Sequence, residues 1–158
     1  MAKLKAVDRV LEAAARLGLT LEIREFPEGT RTAADAARAV GCDVGQIVKS
    51  LVFVAGDRAF VALTSGPNRA DTGRLSELMG GASVRRASPE EARQATGFAI
   101  GGTPPFGHPK PLPMFVDRDL LAYDVVWAAA GTPHAVFPIR PNDLVRVTGA
   151  EAVDLKER

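Results

Sequence analysis

The sequence predicts an α+β domain with a largely antiparallel sheet. Two observations carry this expectation. Two apolar, strand-forming runs, residues 47–54 and 58–63, are separated only by Ala55-Gly56-Asp57, which is the spacing of a hairpin in the middle of a sheet. The other strand-like and helix-like segments are scattered along the chain, without the regular strand–helix alternation of a doubly wound fold.

The elements follow in order. Residues 4–17 read as an amphipathic helix. Leu4, Val7, Val10, Leu11, Ala14 and Leu17 recur at three- and four-residue spacings, Lys3, Lys5, Asp8, Arg9, Glu12 and Arg16 fall largely elsewhere, and Gly18 supplies a stop. Residues 19–26 alternate, Leu21 and Ile23 against Glu22 and Arg24, as a half-buried strand does. Pro27-Glu28-Gly29 turns the chain. Thr32 with Asp35 three residues later resembles a capping box, opening an alanine-rich helix that stops at Gly41. The first hairpin strand, from Ile47, is apolar on both parities, so both of its faces are expected to be covered. Residues 65–68 form a loop, 71–79 a helix ending at Gly80-Gly81, and 83–86 a short strand. Ser88-Pro89-Glu90-Glu91 supplies an N-cap, a first-turn proline and first-turn acids, and that helix ends at Gly97. An irregular stretch runs over 97–113. Residues 113–117 read as a strand and 118–121 as one helical turn. Residues 124–130 and 135–139 read as strands joined by Gly131-Thr132-Pro133-His134, and Asn142-Asp143-Leu144 starts a turn before Val145-Arg146-Val147. No repeat, low-complexity tract or linker divides the chain, so residues 1–158 are expected to form a single domain.

Composition narrows the function. Hydrophobic residues at 46% and charged residues at 25% exclude whole-chain disorder. Twenty Lys and Arg stand against 19 Asp and Glu, a net charge of +1, which excludes coating of DNA or RNA by bulk charge but not a grip on one nucleic-acid end. The single cysteine, Cys42, rules out a disulfide framework and a cysteine-rich zinc site, and reads as a structural thiol. Two histidines are too few for a histidine-based metal centre, so neither metal nor cofactor is expected. No apolar signal-peptide core follows the N-terminus, and no apolar run approaches the roughly 20 residues of a membrane span, so a cytoplasmic protein without a membrane partner is expected.

Two features ask for a functional reason. Lys49 shares a strand face with Leu51 and Phe53, beside an apolar wall. It is one of five lysines in a chain with fifteen arginines. Two readings stand: a lysine that snorkels to water at the strand's entrance, or one set in a pocket to hold an anion or a polarised carbonyl. The second feature is the stretch from Gly97 to Pro111, in which glycine and proline alternate. Such a loop is stiff and offers selected free N–H groups to a carboxylate, a phosphate or an oxyanion, or else it is a rigid connection without a ligand. It is neither a Walker loop nor a dinucleotide fingerprint. Other candidates are weaker. Thr64 and Ser65 lack a nucleophile-elbow context, His134 sits at a hairpin tip, and Arg69, Arg74, Arg85, Arg86 and Arg93 interleave with acids as a solvated surface or a phosphate-binding rim.

Three segments in this order resemble the YbaK/EbsC-like aminoacyl-tRNA deacylases, freestanding relatives of the editing domain inserted in bacterial prolyl-tRNA synthetases. They are the lysine strand Ile47-Val48-Lys49-Ser50-Leu51-Val52-Phe53, a loop of the form Gly-x-x-x-Gly-Gly-x-x-Pro-x-Gly filled by Gly97, Gly101, Gly102, Pro105 and Gly107, and the ending from Ala130-Gly131 to Thr148-Gly149-Ala150. The resemblance covers about residues 20–153. It implies a mixed six- or seven-stranded sheet curled towards a barrel with flanking helices, and hydrolysis of the ester that joins a wrong amino acid to a tRNA. It places the functional lysine on Lys49 and the substrate-cradling glycines on Gly101, Gly102 and Gly107. Substrate-binding positions are then expected at Phe26, Ser50, Ile100, Thr103, Pro105, His108 and His134, with Leu51 as a further wall. A chain without synthetase modules is expected to act in trans on the acceptor end of a mischarged tRNA, a small amino acid on tRNA-Pro being the expected substrate. Near-zero charge leaves room for a synthetase or an elongation factor as helper. No Ser-His-Asp or Cys-His set is evident, so the attacking group is expected to be water. Two rivals remain: a module that binds a tRNA 3′ end or a synthetase without hydrolysis, and a hydrolase of small amino-acid esters.

Overall fold

The computed structural model describes residues 5–158, so Lys3 and Leu4 of the expected first helix lie outside it. Five helices, α1 (Ala6–Arg16), α2 (Ala33–Val40), α3 (Thr72–Leu78), α4 (Pro89–Thr96) and α5 (Pro141–Thr148), accompany eight strands. The strands are β1 (Arg24–Glu25), β2 (Ile47–Ala55), β3 (Arg58–Ser65), β4 (Val84–Arg86), β5 (Met114–Asp117), β6 (Val126–Ala129), β7 (Ala135–Ile139) and β8 (Glu151–Val153). They form one mixed sheet in the order β1-β7-β6-β2-β3-β5-β8, with β4 also beside β2. Most paired residues are antiparallel, while β2–β6, β3–β5 and β5–β8 run parallel. The sheet is open, and it has eight strands rather than six or seven because several very short strands join it.

The expected start and stop signals operate. The Thr32 hydroxyl accepts the Asp35 N–H, and Gly41 closes α2 at φ 79°. Ser88 and Glu91 form a reciprocal capping box on α4. Two segments differ from expectation. The strand expected over 19–26 shrinks to β1, because β7 pairs only Val136 and Ala135 with it; Leu19, Leu21 and Ile23 pack against the core without ladder partners. The turn expected at Asn142-Asp143-Leu144 is the first half of α5. Pro141 opens this helix, Leu144 is buried, Val145 and Val147 pack on the core, and Gly149 ends it. The short β8 that follows was not expected, and it pairs with β5.

The β2–β3 hairpin is covered on both faces. Val48, Val52, Val54, Val61 and Leu63 enter the main core with Phe98, Phe106, Phe137 and Leu144. Phe53 and Phe60 face a second core, where their rings stack at 5.7 Å and Phe115 meets Phe60 edge-on at 6.0 Å. Ile47, on the same face as Phe53, belongs instead to a third cluster with Trp127, Val136 and Ala36 and Ala37 of α2. Lys49 therefore falls at the seam between two apolar clusters on one strand face.

The two edges of β2 are treated differently. Along one, β3 pairs with every residue from Val48 to Ala55. Along the other, β6 takes only Ile47 and Val48, and β4 takes only Phe53 to Ala55. Gly66, directly after β3, is pressed against the chain before β2, where an added Cβ would stand 2.2 Å from the Val44 carbonyl oxygen. That oxygen is backbone and has little room to yield. Gly66→Ala is expected to destabilise the fold by about 1–3 kcal/mol, read as a lowered denaturation midpoint.

Candidate functional site

A cavity of about 460 Å³ opens where β4 and β6 diverge from β2. This lies within the usual range for small-ligand sites. Ser50, Leu51 and Val52 form its floor. Trp127 and Ala129 of β6, Arg86 of β4, the segment 30–33 before α2, and Ile100, Gly101 and Thr103 of the glycine loop form its walls.

Ser50 occupies the break in pairing. The Ser83 and Val52 carbonyls accept from Gly56 and Ala87, respectively, so the even-numbered residues of β2 turn their main-chain groups towards β4 and β6. By the two-residue alternation, the N–H and C=O of Ser50 point the same way. Pairing with β6 stops at Val48, and pairing with β4 begins at Phe53, so Ser50 has no ladder partner on that side. Its Oγ is also buried without a hydrogen-bond partner. Unpaired polar groups of this kind are rare in protein interiors.

Lys49 is half-buried, and its Nζ donates to the Asn68 carbonyl at 2.5 Å. Burial pushes its pKa below the ordinary lysine value; Arg86 and Arg69 add to this, and Asp117 opposes it. The Asn68 carbonyl is held in place from behind. The Asn68 carboxamide donates to Asp117 and Asp119, each at 2.8 Å. Asp117, only 1% exposed, also accepts the N–H groups of Ser65 and Asp119, each at 3.0 Å. Lys156 donates to Asp119 at 2.8 Å, and its hydrogen bond together with that of Asn68 lowers the Asp119 pKa. Residues 155–157 are stitched to the Asn68 loop through Asp71 N–H to Leu155 O and Glu157 N–H to Arg69 O, each 2.7 Å. The lysine head is thus seated on a loop fixed by carboxylates and by the end of the chain.

The glycine loop is anchored from below. Phe98 and Phe106 are buried in the main core, Arg9 of α1 donates to Gly97 O at 2.8 Å, and Arg9 lies over the Phe98 ring at 4.2 Å. Gly101 and Gly107 have φ of 90° and 83°, a region that side chains disfavour. Gly102 is required for a different reason: a Cβ there would stand 2.6 Å from Thr132 Cα. The Gly102 N–H, expected to be free, donates to Ala99 O at 3.1 Å, whereas Gly101 donates to no main-chain carbonyl among the described residues. The Thr103 hydroxyl also donates to Ala99 O, at 3.1 Å.

Of the residues singled out in the sequence, Lys49, Ser50, Leu51, Ile100, Gly101 and Thr103 meet in the cavity. Gly102, Pro105 and Gly107 shape the loop behind it. His108, in the same stretch, is half-buried, with Nε2 2.9 Å from Pro104 O, and burial pushes its pKa down. Phe26 and His134 lie beside the cavity and bind each other: Phe26 N–H donates to His134 O at 2.7 Å, and His134 Nδ1 is 3.1 Å from Phe26 O. The sequence reading missed Asn68, Asp117 and Trp127, and it left Arg86 between a solvated surface and a phosphate-binding rim; Arg86 lines the cavity. Trp127, the sole tryptophan, carries Arg24 over its ring at 4.8 Å. Only its uniqueness marked it in the sequence.

With this geometry in hand, comparison with known proteins defines the class. The family model for the aminoacyl-tRNA editing domain matches residues 27–147, and the chain belongs to that family. A crystal structure described provisionally as a trans-editing enzyme for prolyl-tRNA synthetase superposes with a TM-score of 0.93 and 51% identity, covering 99% of this chain and 100% of that one. EbsC of Enterococcus faecalis, provisionally named a Cys-tRNA(Pro)/Cys-tRNA(Cys) deacylase, is 23% identical over 131 residues, 82% of this chain and 80% of EbsC. The proline–tRNA ligase of Nitratidesulfovibrio vulgaris strain DP4 is 29% identical over 124 residues, which are 78% of this chain but 21% of that enzyme. Among the described residues, no helix is long and apolar enough to cross a membrane.

Asn68→Ala removes a donor from a carboxylate that water barely reaches. It is expected to cost about 1–3 kcal/mol in denaturant unfolding. His108 has a lowered folded-state pKa, so the unfolded chain binds its proton more readily and stability must fall as pH drops through about 6.5. His108→Gln should flatten that fall between about pH 7.5 and 5.5 relative to the parent chain, measured by urea titration at each pH.

Proposed function

We propose that the chain hydrolyses the ester between a small amino acid and the 3′ adenosine of a mischarged tRNA, acting in trans as a freestanding editor. The single observation that carries this is the Ser50 gap, a main-chain N–H and C=O left unpaired at the floor of a closed-backed cavity with Lys49 beside it. Hydrolysis of an ester passes through a tetrahedral oxyanion, which is stabilised by donors already aimed at its position. The N–H groups of Ser50 and Gly101 are such donors, and neither is consumed by the fold. Lys49 holds the carbonyl or phosphate side of the terminal adenosine, with Arg31 and Arg86 at the walls to take phosphate charge. Water attacks the carbonyl carbon, the ester C–O bond breaks, and the tRNA hydroxyl leaves with a proton, giving a free amino acid. Neither histidine lines the cavity, so no imidazole is placed to activate Ser50 as a nucleophile. The substrate's own functional groups, such as its neighbouring hydroxyl, assist the water.

The apolar cavity walls, among them Ile47, Val48 and Ala36, support a small uncharged side chain selected by size. The proline-related names of its relatives support tRNA-Pro as the carrier. Phe26, Pro105, Gly107, His108 and His134 take part as supports around the cavity, and a synthetase or elongation factor delivers the tRNA.

The test is a panel of tRNAs charged with Ala, Cys, Ser and Pro, followed for loss of the labelled ester. At least one noncognate ester should turn over faster than the proline ester, and Lys49→Ala should slow it at least about tenfold, roughly 1.4 kcal/mol. An unchanged rate in Lys49→Ala removes the lysine from the mechanism. Tight binding without turnover of any member selects the non-catalytic module, and turnover of free esters alone selects the small-ester hydrolase.

A further inference from the structure

The cations assigned above to phosphate charge also bear on the acyl part of the ligand. Three cations line it, Lys49 on β2, Arg86 on β4 and Arg31 before α2, and among the described residues that line it there is no Asp or Glu. Arg69 acts on Lys49 from the adjoining loop. Of the carboxylates on the elements packed around the cavity, Glu25 on β1 and Glu90 on α4 do not line it, and the others named here are paired. Asp35 on α2 pairs with Arg38, Glu91 on α4 with Arg85 at 2.8 Å, and Asp119 with Lys156 at 2.8 Å. Asp117 is enclosed by Asn68 and the N–H groups of Ser65 and Asp119. An α-ammonium brought to this floor would meet like charges and no carboxylate, which disfavours its charged form. The Ser50 carbonyl, by contrast, accepts equally from a neutral amine, an amide N–H or a hydroxyl.

We infer that the cavity takes the acyl part of its ligand with an uncharged α-substituent, so that its ligand class extends to N-acylated amino acids and 2-hydroxy acids with small apolar side chains. The inference rests on the cavity being the acyl site proposed above. Three consequences follow for binding and rate. A free amino acid, which carries an ammonium, is a poor ligand, whereas its N-acetyl derivative keeps only the carboxylate that the three cations favour. An aminoacyl ester reacts through its neutral-amine form, so its turnover rises with pH through the amine's pKa, about 7.7–8.0 for an α-amino group. A 2-hydroxyacyl ester of the same size has no such group, and its profile lacks that rise. In each case the reaction is the same hydrolysis, with water added across the acyl C–O bond.

Two measurements test this separately from the proposed activity. Trp127 is the only tryptophan and lines the cavity, so its fluorescence reports occupancy directly. At pH 7, N-acetyl-L-alanine and L-lactate should each bind at least about tenfold more tightly than L-alanine. In the second, alanyl-, N-acetylalanyl- and lactyl-tRNA are compared from pH 6 to 8.5, each against its uncatalysed blank. The blocked and lactyl esters should turn over at pH 6.5 at least as fast as the alanyl ester, and only the alanyl ester should gain rate through its amine pKa. Tighter or equal binding of L-alanine, no fluorescence response to any of the three ligands, or loss of turnover on the blocked and lactyl esters while the alanyl ester reacts would each overturn the inference. If no ester reacts but the binding order holds, the hydrolytic reading fails and the ligand class stands.

Discussion

The site depends on one interruption in the sheet. β2 is saturated along its β3 edge, but its other edge is shared by two short strands that approach from opposite ends. Sheets twist, so strands that engage one partner at separated positions diverge between them. The divergence exposes the main chain of Ser50 at the floor of a cavity instead of in a ladder. The Ser50 Oγ, buried there without a hydrogen-bond partner, costs about 1–3 kcal/mol. The hairpin bears this cost because its faces are packed by three apolar clusters, and the Phe53, Phe60 and Phe115 rings hold it from below.

Lys49 follows from the same arrangement. Its strand face is apolar on either side, yet Ile47 and Leu51 belong to different clusters, so the seam between them admits an ammonium. What fixes the ammonium is the Asn68 carbonyl, and Asn68 is fixed by two carboxylates and the chain end. The lysine therefore does not snorkel freely to water. The reading in which it sits in a pocket gains support from this geometry.

Local signals made much of the fold legible. The Thr32 and Ser88 caps, the glycine stops and the β2–β3 hairpin are decided by neighbours within a few residues, and they lie where the residue types place them. Short strands such as β4 were legible, but the outermost ones were less so. β1 and β8 hold two and three residues and exist because β7 and β5 offer edges, which no local pattern records. α5 was obscured by Val145 and Val147, whose two-residue spacing reads as extended until Leu144 completes a helical face. The site divides in the same way. Lys49 and the glycine loop carry unusual residues in unusual places and announce themselves. Ser50's unpaired edge arises from strands missing on one side, and Asn68 with Asp117 meets only through folding across 49 residues of sequence. The Gly102 N–H shows the limit of composition: the loop has the right glycines, but the turn to Ala99 consumes one of the donors expected to be free.

Belonging to the aminoacyl-tRNA editing family gives the cavity a chemical context, and the cavity in turn shows which main-chain atoms of this chain are left unpaired. In the proposed reaction the acyl carbonyl of an aminoacyl adenosine lies in the Ser50 gap. A crystal structure of the protein with alanine linked by an amide to 3′-amino-3′-deoxyadenosine tests it most directly. The alanyl carbonyl oxygen is expected within about 2.7–3.2 Å of the Ser50 main-chain nitrogen, with the nucleoside beside Lys49. An adenosine conjugate seated against Phe26 and His134, with the Ser50 gap empty, would contradict it.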